Sequence, residues 1–226
     1  MAYEKISYEL DGSTAIISFD DATTMNACGI DTAQELLHAF ETARKEARCP
    51  ILTGKGRGFC SGANLGANPG SGTSLSHPGS QPDAGRALET HYNPLILAIQ
   101  EHPHPVITAV NGAAAGVGCA LGLIGDLVIC GKSGYFLQAM SWGLVNRVVE
   151  DDALMDTAKQ IAKQLAEGPT QALALTRKLV WAACDGDFDG ALRAERLAQR
   201  TAGRTEDFKE GVMAFLGKRK AEFKGK

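Results

Sequence analysis

The sequence predicts an α/β fold that ends in a helical region. A strand, a glycine-rich turn and the start of a helix follow one another twice, around ILTGKGRGFCSGANL at 51–65 and PVITAVNGAAAGVGCALG at 105–122. From Asp152 onward, apolar residues recur at helical spacing in nearly every segment. Alternating strands and helices followed by helices alone are typical of an α/β core with a helical addition. With 226 residues, 44% of them hydrophobic, the chain can bury one sizeable core.

The first quarter of the chain predicts a hairpin, an amphipathic helix and a short strand. YEKISYEL alternates imperfectly between apolar and polar residues, Asp11 and Gly12 predict the turn, and TAIISF forms the returning strand. Residues 30–47 carry apolar side chains at helical spacing, with Asp31 and Gln34 in capping-box positions. The strand PILTG then leads into the first glycine turn.

The middle of the chain predicts a mobile loop, a helix and two more strands. The segment from Gly66 to Gly85 is rich in Gly, Ser and Pro and has almost no periodicity. A helix over ALETHYNPLILAIQEH, interrupted near Pro94, precedes the strand PVITAV, and DLVIC forms a strand after the second glycine turn. We divide the chain into a core, residues 1–150, and a C-terminal helical region, residues 151–226.

Composition narrows the possible partners. The net charge is -3 and there is no long basic run, which argues against a nucleic acid, because binding one requires clustered Lys and Arg. The N-terminal residues lack the apolar segment of a signal peptide, and no window approaches the ~18 apolar residues of a membrane span. We therefore expect a cytoplasmic protein with no membrane partner.

Six cysteines show neither the paired spacing of a zinc site nor the density of a disulfide scaffold. They are Cys28, Cys49, Cys60, Cys119, Cys130 and Cys184. We expect reduced thiols and no metal. Cys60 and Cys119 lie beside glycines and could act as nucleophiles, although the sequence pairs neither with an obvious base.

The glycine turns alone leave three interpretations open. Tight strand-to-helix connections use glycine for purely structural reasons. Nucleotide binding fits poorly, because GKGRGFCSG lacks the GK[ST] ending of a phosphate loop and GAAAGVGCALG lacks the GxGxxG spacing. The third interpretation is a backbone shaped to approach a different ligand.

Together the two turns resemble the enoyl-CoA hydratase/isomerase (crotonase) superfamily. The blocks that carry the resemblance are MNA at 25–27, ILTGKGRGFCSGANL at 51–65, PVITAVNGAAAGVGCALGLIGDLVIC at 105–130 and WGLVNRVVEDDAL at 142–154. GRALETHYNPLI at 85–96 resembles the branch that contains ring-1,2-epoxyphenylacetyl-CoA isomerases and related enoyl-CoA isomerases. The resemblance implies a crotonase-type spiral of ββα repeats with a C-terminal helical oligomerisation region, which assembles as a homotrimer or hexamer.

The resemblance implies an acyl-CoA substrate and a backbone oxyanion hole. Its two donors are the N–H groups of Ala63 and Val117, next to Gly62 and Gly116. Reactions beside a thioester develop negative charge on the carbonyl oxygen, which fixed N–H donors stabilise in a dry pocket. Val117 also opens a helix, whose dipole favours an oxyanion.

The resemblance further implies where the CoA moiety lies. Asn64, Leu65 and Gly66 match the segment that runs beside it, with Asn64 in place of the usual Asp. Lys218 matches a basic residue that reaches CoA. CoA would enter as part of the thioester, with no separate cofactor and no metal. We expect the loop from Gly66 to Gly85 to close over the acyl group.

The acid and base groups of the family are missing from the sequence. Hydratases of the family use two glutamates, and the matching positions are Ala120 and, approximately, Met140. The isomerase branch has an acidic residue in a segment beyond FLQA, but here FLQAM passes directly to SWGLVNRVV. We expect a longer polypeptide, with an acidic base in residues missing between about Ala139 and Ser141; the alternative is a true deletion of this unit.

Other titratable residues offer no clear replacement. His91, His102 and His104 are typical of surfaces or helix ends, and Asp126 is typical of a strand start where a carboxylate accepts backbone N–H groups. Three hypotheses follow: an acyl-CoA enzyme, with isomerisation favoured over hydration; a non-catalytic acyl-CoA binder; and a structural subunit of an oligomer, against which the glycine turns argue.

Overall fold

The computed structural model describes residues 2–64, 88–136 and 144–226. The strands in these ranges are β1 (Ile6–Asp11), β2 (Thr14–Phe19), β3 (Cys49–Gly54), β4 (Gly58–Cys60), β5 (Ile107–Val110), β6 (Ala113–Ala114), β7 (Leu127–Gly131), β8 (Tyr135–Phe136) and β9 (Arg147–Val149). The helices are α1 (Ile30–Glu46), α2 (Asn93–Gln100), α3 (Val117–Leu123), α4 (Leu154–Ala166), α5 (Thr170–Asp185), α6 (Phe188–Ala202) and α7 (Glu206–Leu216).

The strands of the described ranges form two sheets. One has the order β1-β2-β3-β5-β7-β9, and the other has the order β4-β6-β8. The hairpin prediction is confirmed: β1 and β2 are antiparallel, with Asp11 opposite Thr14 and Gly12 at a φ of 60° between them. Every other strand pair is parallel.

The two sheets alternate along the chain. Three times a strand of the larger sheet is followed at once by a short strand of the smaller one, as β3–β4, β5–β6 and β7–β8. Helices α2 and α3 follow the first two of these pairs and return the chain to the next strand. The arrangement is the spiral of ββα repeats that the resemblance implies, so that prediction is confirmed.

Both faces of the larger sheet are buried, as parallel strands require. On β2, Ala15, Ile17 and Phe19 face one core and Ile16 faces the other, because side chains alternate along a strand. Helices α1, α2 and α3 cover the first face, and α4 covers the second.

The start of α1 differs from the sequence prediction. Gly29 is the residue before the first helical turn and provides no side-chain cap. The Asp31 carboxylate accepts a hydrogen bond from the adjacent Thr32 N–H at 2.9 Å. The capping-box prediction is therefore wrong, because the helix begins at Ile30 and Asp31 already lies within its first turn.

The segment before α2 forms one π-helical turn at Leu88–Tyr92, and the regular helix begins at Asn93. The predicted interruption near Pro94 is confirmed. Pro94 lies in the first turn of α2, where its missing N–H removes no helical hydrogen bond.

The division of the chain at residue 150 stays a prediction. Helix α4 packs against the larger sheet, so the first helix beyond that point contributes to the core. Arg177 ties α5 to the same body, since its guanidinium donates to the Asp126 carboxylate at 2.7 Å and to the Ile99 carbonyl at 2.7 Å. Asp126 also accepts the Val106 N–H at 2.7 Å, which confirms its structural role.

No helix in the described ranges is long and apolar enough to cross a bilayer.

His102 is a buried histidine beyond the end of α2. Its side chain is 2% exposed, and its Nδ1 accepts the His104 N–H at 3.2 Å. Within the described residues its Nε2 has no hydrogen-bond partner. Burial lowers the pKa of His102 to about 4, and the nearby positive charges of Arg44 and Arg177 act in the same direction.

We predict that this histidine makes the fold sensitive to acid. The unfolded chain takes up a proton near the ordinary histidine pKa of 6.5, whereas the folded chain does so only near 4. Neutral His102 therefore makes its full contribution to the free energy of unfolding above pH 6.5. That free energy falls by roughly 3 kcal/mol as the pH drops to 4. Urea unfolding from pH 7 to pH 4.5 measures this slope, and His102→Asn should flatten it. The control is His91→Asn, at a partly buried histidine. A slope in His102→Asn equal to that of this control and of the unaltered protein would contradict the prediction.

Candidate functional site

The first glycine turn follows strand β4. The chain leaves the larger sheet at Gly54, forms the three residues of β4 and turns at Gly62, whose φ is 111°. Residues other than glycine rarely adopt that φ. Asn26, which is 2% exposed, fixes the approach by donating from its side-chain amide to the carbonyls of Lys55 at 2.9 Å and Gly58 at 2.7 Å.

The second glycine turn follows strand β6 and opens α3. Gly116 has a φ of 54° and a ψ of -125°, and Val117 is the first residue of the helix. Asn111, just after β5, connects the segments that lead into the two glycine turns. Its Oδ1 accepts the Gly54 N–H at 3.2 Å, and its Nδ2 donates to the Gly56 carbonyl at 2.9 Å.

The two turns meet backbone to backbone. Strands β4 and β6 are neighbours, and the Ala115 N–H donates to the Cys60 carbonyl at 3.0 Å. A methyl group on Gly62 would lie 3.1 Å from the Ala115 carbonyl oxygen, and one on Gly116 would lie 3.7 Å from the Gly62 Cα. The structure therefore brings together Gly62 and Gly116, which the resemblance names separately.

The residues that follow these glycines, Ala63 and Val117, each present an N–H that donates to no other described residue. Cys28 hydrogen-bonds on either side of Ala63: its N–H donates to the Gly62 carbonyl at 2.7 Å, and its carbonyl accepts the Asn64 N–H at 3.3 Å. In such a parallel bridge the N–H of Ala63 is directed away from Cys28. Val117 begins a helix, where the N–H has no partner within the helix. Among the described residues, neither the Ala63 N–H nor the Val117 N–H donates a hydrogen bond.

Two buried thiols lie beneath the first turn. Burial raises the pKa of Cys28 well above its ordinary value and also raises the pKa of Cys60. Both groups therefore stay protonated at neutral pH, which argues against Cys60 as a nucleophile. All six cysteines are free.

The described residues supply no carboxylate at the positions that the family uses. Ala120 is exposed on α3 and carries no titratable group. His102 and Asp126 are held in the structural contacts of α2 and α5 described above. Within the described ranges, no cluster of three or more His, Cys, Asp or Glu could hold a metal ion.

Several predicted residues fall elsewhere. Some residues and segments lie outside the described residues: Leu65, the whole predicted loop from Gly66 to Gly85, Met140 and the junction from Ala139 to Ser141. Lys218 is exposed beyond α7, with a φ of 49°, and its N–H donates to the Phe215 carbonyl at 3.2 Å. In the part of the chain that the structure describes, no ion pair or hydrogen bond joins its side chain to either glycine turn.

Sequence reasoning missed one residue at the site. Tyr92 is 6% exposed, and its hydroxyl donates to the Cys28 carbonyl at 2.7 Å. The sequence signal was present, because Tyr92 lies in the block GRALETHYNPLI. Neither periodicity nor composition indicates that its partner is 64 residues away.

Comparison with known proteins identifies the family. The enoyl-CoA hydratase/isomerase family model matches residues 9–141 and 137–226. The chain is 37% identical over 219 residues to the 1,2-epoxyphenylacetyl-CoA isomerase of Escherichia coli K12, covering 79% of this chain and 82% of that protein. It is 34% identical over 266 residues to a probable enoyl-CoA hydratase of Rhodobacter capsulatus, covering 100% of both.

Solved structures show the same fold. An enoyl-CoA hydratase from Bacillus anthracis superposes with a TM-score of 0.86 at 24% identity, covering 99% of this chain and 100% of that chain. An enoyl-CoA hydratase/isomerase from Mycobacterium paratuberculosis superposes with a TM-score of 0.84 at 25% identity, covering 100% of both.

The matches also bear on the missing unit. The Rhodobacter alignment extends over 266 positions although this chain has 226 residues, so 40 positions lie opposite gaps in this chain. The two parts of the family match meet at residues 137–141, where the sequence lacks the expected unit. That a longer polypeptide carries an acidic base there stays a prediction. The family match covers nearly the whole chain, and this chain belongs to the enoyl-CoA hydratase/isomerase family.

Proposed function

We propose that the chain binds an acyl-CoA thioester and stabilises its enolate between the backbone N–H groups of Ala63 and Val117. The observation that carries the proposal is the contact of two positive-φ glycines, each followed by an N–H with no partner in the described residues. Two such donors fit an oxygen that gains negative charge during reaction. Because the donors belong to the backbone, they cannot titrate.

We favour isomerisation over hydration. Hydration requires a water molecule activated by positioned acid and base groups, and Ala120 cannot transfer a proton. Isomerisation of an enoyl thioester requires no attacking water: one base, which we expect in the residues missing between about Ala139 and Ser141, takes a proton from one carbon and returns it to another. The 37% identical relative named as an isomerase supports this choice.

A second function, acyl-CoA binding without turnover, is favoured by one observation. The family model matches in two parts that overlap at residues 137–141, and no described residue supplies the base that the isomerase branch uses. An intact mass above 23.8 kDa, with an Asp or Glu in the additional residues, would support the enzyme. A panel of enoyl-CoA substrates with thermal-shift and turnover measurements separates the two, because a binder is stabilised by thioesters but converts none.

The remaining contacts to CoA complete the proposal. Asn64, Leu65 and Gly66 follow the first donor and would run beside the CoA moiety. Lys218 would reach CoA bound to a neighbouring copy of the chain, because it lies in the C-terminal helical region.

We place the reaction in the cytoplasm, where free thiols such as these six persist and acyl-CoA is available.

We predict that Gly62→Ala destroys thioester recognition. The added methyl group would lie 3.1 Å from the Ala115 carbonyl oxygen, and the alanine backbone would have to adopt a φ of 111°. The turn must shift, and Ala63 shifts with it. We expect the affinity advantage of butyryl-CoA over free CoA to disappear and isomerase kcat to fall by roughly 10²–10³-fold.

A matched control separates this effect from general backbone strain. Gly12 also has a positive φ, 60°, but a methyl group there would meet no atom within 4 Å, and the residue lies in the β1–β2 hairpin. Gly12→Ala should lower the melting temperature without changing thioester affinity. Equal thioester affinity in Gly62→Ala and the unaltered protein, measured by calorimetry, would contradict the proposal.

We predict very slow hydration of crotonyl-CoA. Each positioned acid or base contributes about 10² to 10⁴-fold, and the chain lacks one at Ala120. The appearance of 3-hydroxybutyryl-CoA, followed by chromatography, measures the rate. Ala120→Glu should raise it and the isosteric Ala120→Gln should not. A rate comparable with that of ordinary hydratases in the unaltered protein would show that another residue activates water.

We also propose that the C-terminal helices assemble the chain as a homotrimer or hexamer. Helix α6 has no buried residue, and Phe188 and Phe215 are 77% and 83% exposed. Such large apolar side chains are expected to pack against another copy. Analytical ultracentrifugation should find a species of at least three 23.8 kDa chains, and a stable monomer at micromolar concentration would count against the assembly.

A further inference from the structure

We propose that Tyr92 is a positioning residue, which holds the Ala63 N–H in place through the backbone carbonyl of Cys28. The inference rests on the proposed function, because it assigns Tyr92 to the same pair of donors. Tyr92 itself need not touch the substrate.

Tyr92 is a rigid donor. Its side chain is 6% exposed, and it belongs to the hydrophobic core that also contains Leu95 and Ile99, two fully buried residues of α2. Burial raises the pKa of Tyr92 to about 12, so the hydroxyl keeps its proton at physiological pH. Its hydrogen bond to the Cys28 carbonyl, 2.7 Å long, is buried.

Cys28 transmits this anchoring to Ala63. Its carbonyl accepts both the Tyr92 hydroxyl and the Asn64 N–H, and its own N–H donates to the Gly62 carbonyl. The residues before and after Ala63 are therefore both bonded to one peptide segment, and Tyr92 fixes that segment to the core. Ala63 itself belongs to no strand or helix, because its bridge to Cys28 is isolated.

The direction of the Ala63 N–H depends on this arrangement. A hydrogen bond to a developing charge weakens steeply when its donor is misaligned. If the Tyr92 hydroxyl is removed, the Cys28 carbonyl keeps the longer 3.3 Å bond to Asn64 and the segment gains freedom. The thioester would still bind through CoA, but its carbonyl would be less strongly polarised.

Infrared difference spectroscopy tests the inference directly. Butyryl-CoA labelled with ¹³C at the thioester carbonyl is saturated, so neither hydration nor isomerisation consumes it. Bound to the unaltered protein, its carbonyl band should shift to lower wavenumber than in water. In Tyr92→Phe the band should return toward its position in water, affinity for free CoA should be unchanged, and isomerase kcat should fall roughly 10-fold or more without a matching rise in KM.

Tyr8→Phe is the matched control. The Tyr8 hydroxyl also donates to an oxygen, Glu46 Oε2 at 3.1 Å, but it lies on the N-terminal hairpin. The carbonyl band and kcat should be those of the unaltered protein. Should Tyr92→Phe fail to fold, replacing all four tyrosines by 3-fluorotyrosine keeps the packing and makes each hydroxyl a stronger donor. The inference then expects a band at still lower wavenumber.

The outcomes are distinguishable. No band shift in the unaltered protein would overturn the proposed function. A normal shift that is identical in Tyr92→Phe, or unchanged by fluorination, would overturn the role of Tyr92 and leave the proposed function standing. A shift lost in Tyr92→Phe and kept in Tyr8→Phe supports both.

Discussion

The close approach of Gly62 to Gly116 determines how the two glycine turns are placed against each other. Two polypeptide segments far apart in sequence approach so closely that a methyl group on Gly62 would press against the Ala115 carbonyl. The parallel pairing of β4 with β6 creates the approach, and the buried larger sheet keeps those short strands in register. The Ala63 and Val117 N–H groups directly follow these two glycines, and neither has a hydrogen-bond partner among the described residues.

The proposed donors belong to the backbone, so the proposal does not depend on particular side chains at their positions. Val117 offers the N–H that any residue except proline would offer. Ala120 removes a carboxylate without affecting that N–H, because it lies on the exposed side of α3. In the proposed function, polarisation of the thioester therefore depends on the backbone of Ala63 and Val117, whereas proton transfer depends on a carboxylate that the described residues do not supply.

Much of the fold could be predicted from the sequence because its signals are local. The β1–β2 hairpin follows from alternation and a turn dipeptide, and α1 follows from apolar spacing. The capping box failed because the local signal at Asp31 did not fix where the first turn begins. The glycine turns were visible as motifs, but their contact, and the bond from Tyr92 to Cys28, arise from packing between distant segments. Nothing in local spacing encodes those partners.

Binding of the thioester oxygen by the Ala63 and Val117 N–H groups can be observed by amide NMR. The protein is labelled with ¹⁵N-alanine and ¹⁵N-valine, and the variants Ala63→Gly and Val117→Ile assign the two signals. Butyryl-CoA should move both amide protons downfield, as formation of a hydrogen bond requires, whereas free CoA should leave them nearly unchanged. Equal shifts with butyryl-CoA and free CoA, or no shift at either amide, would contradict the account.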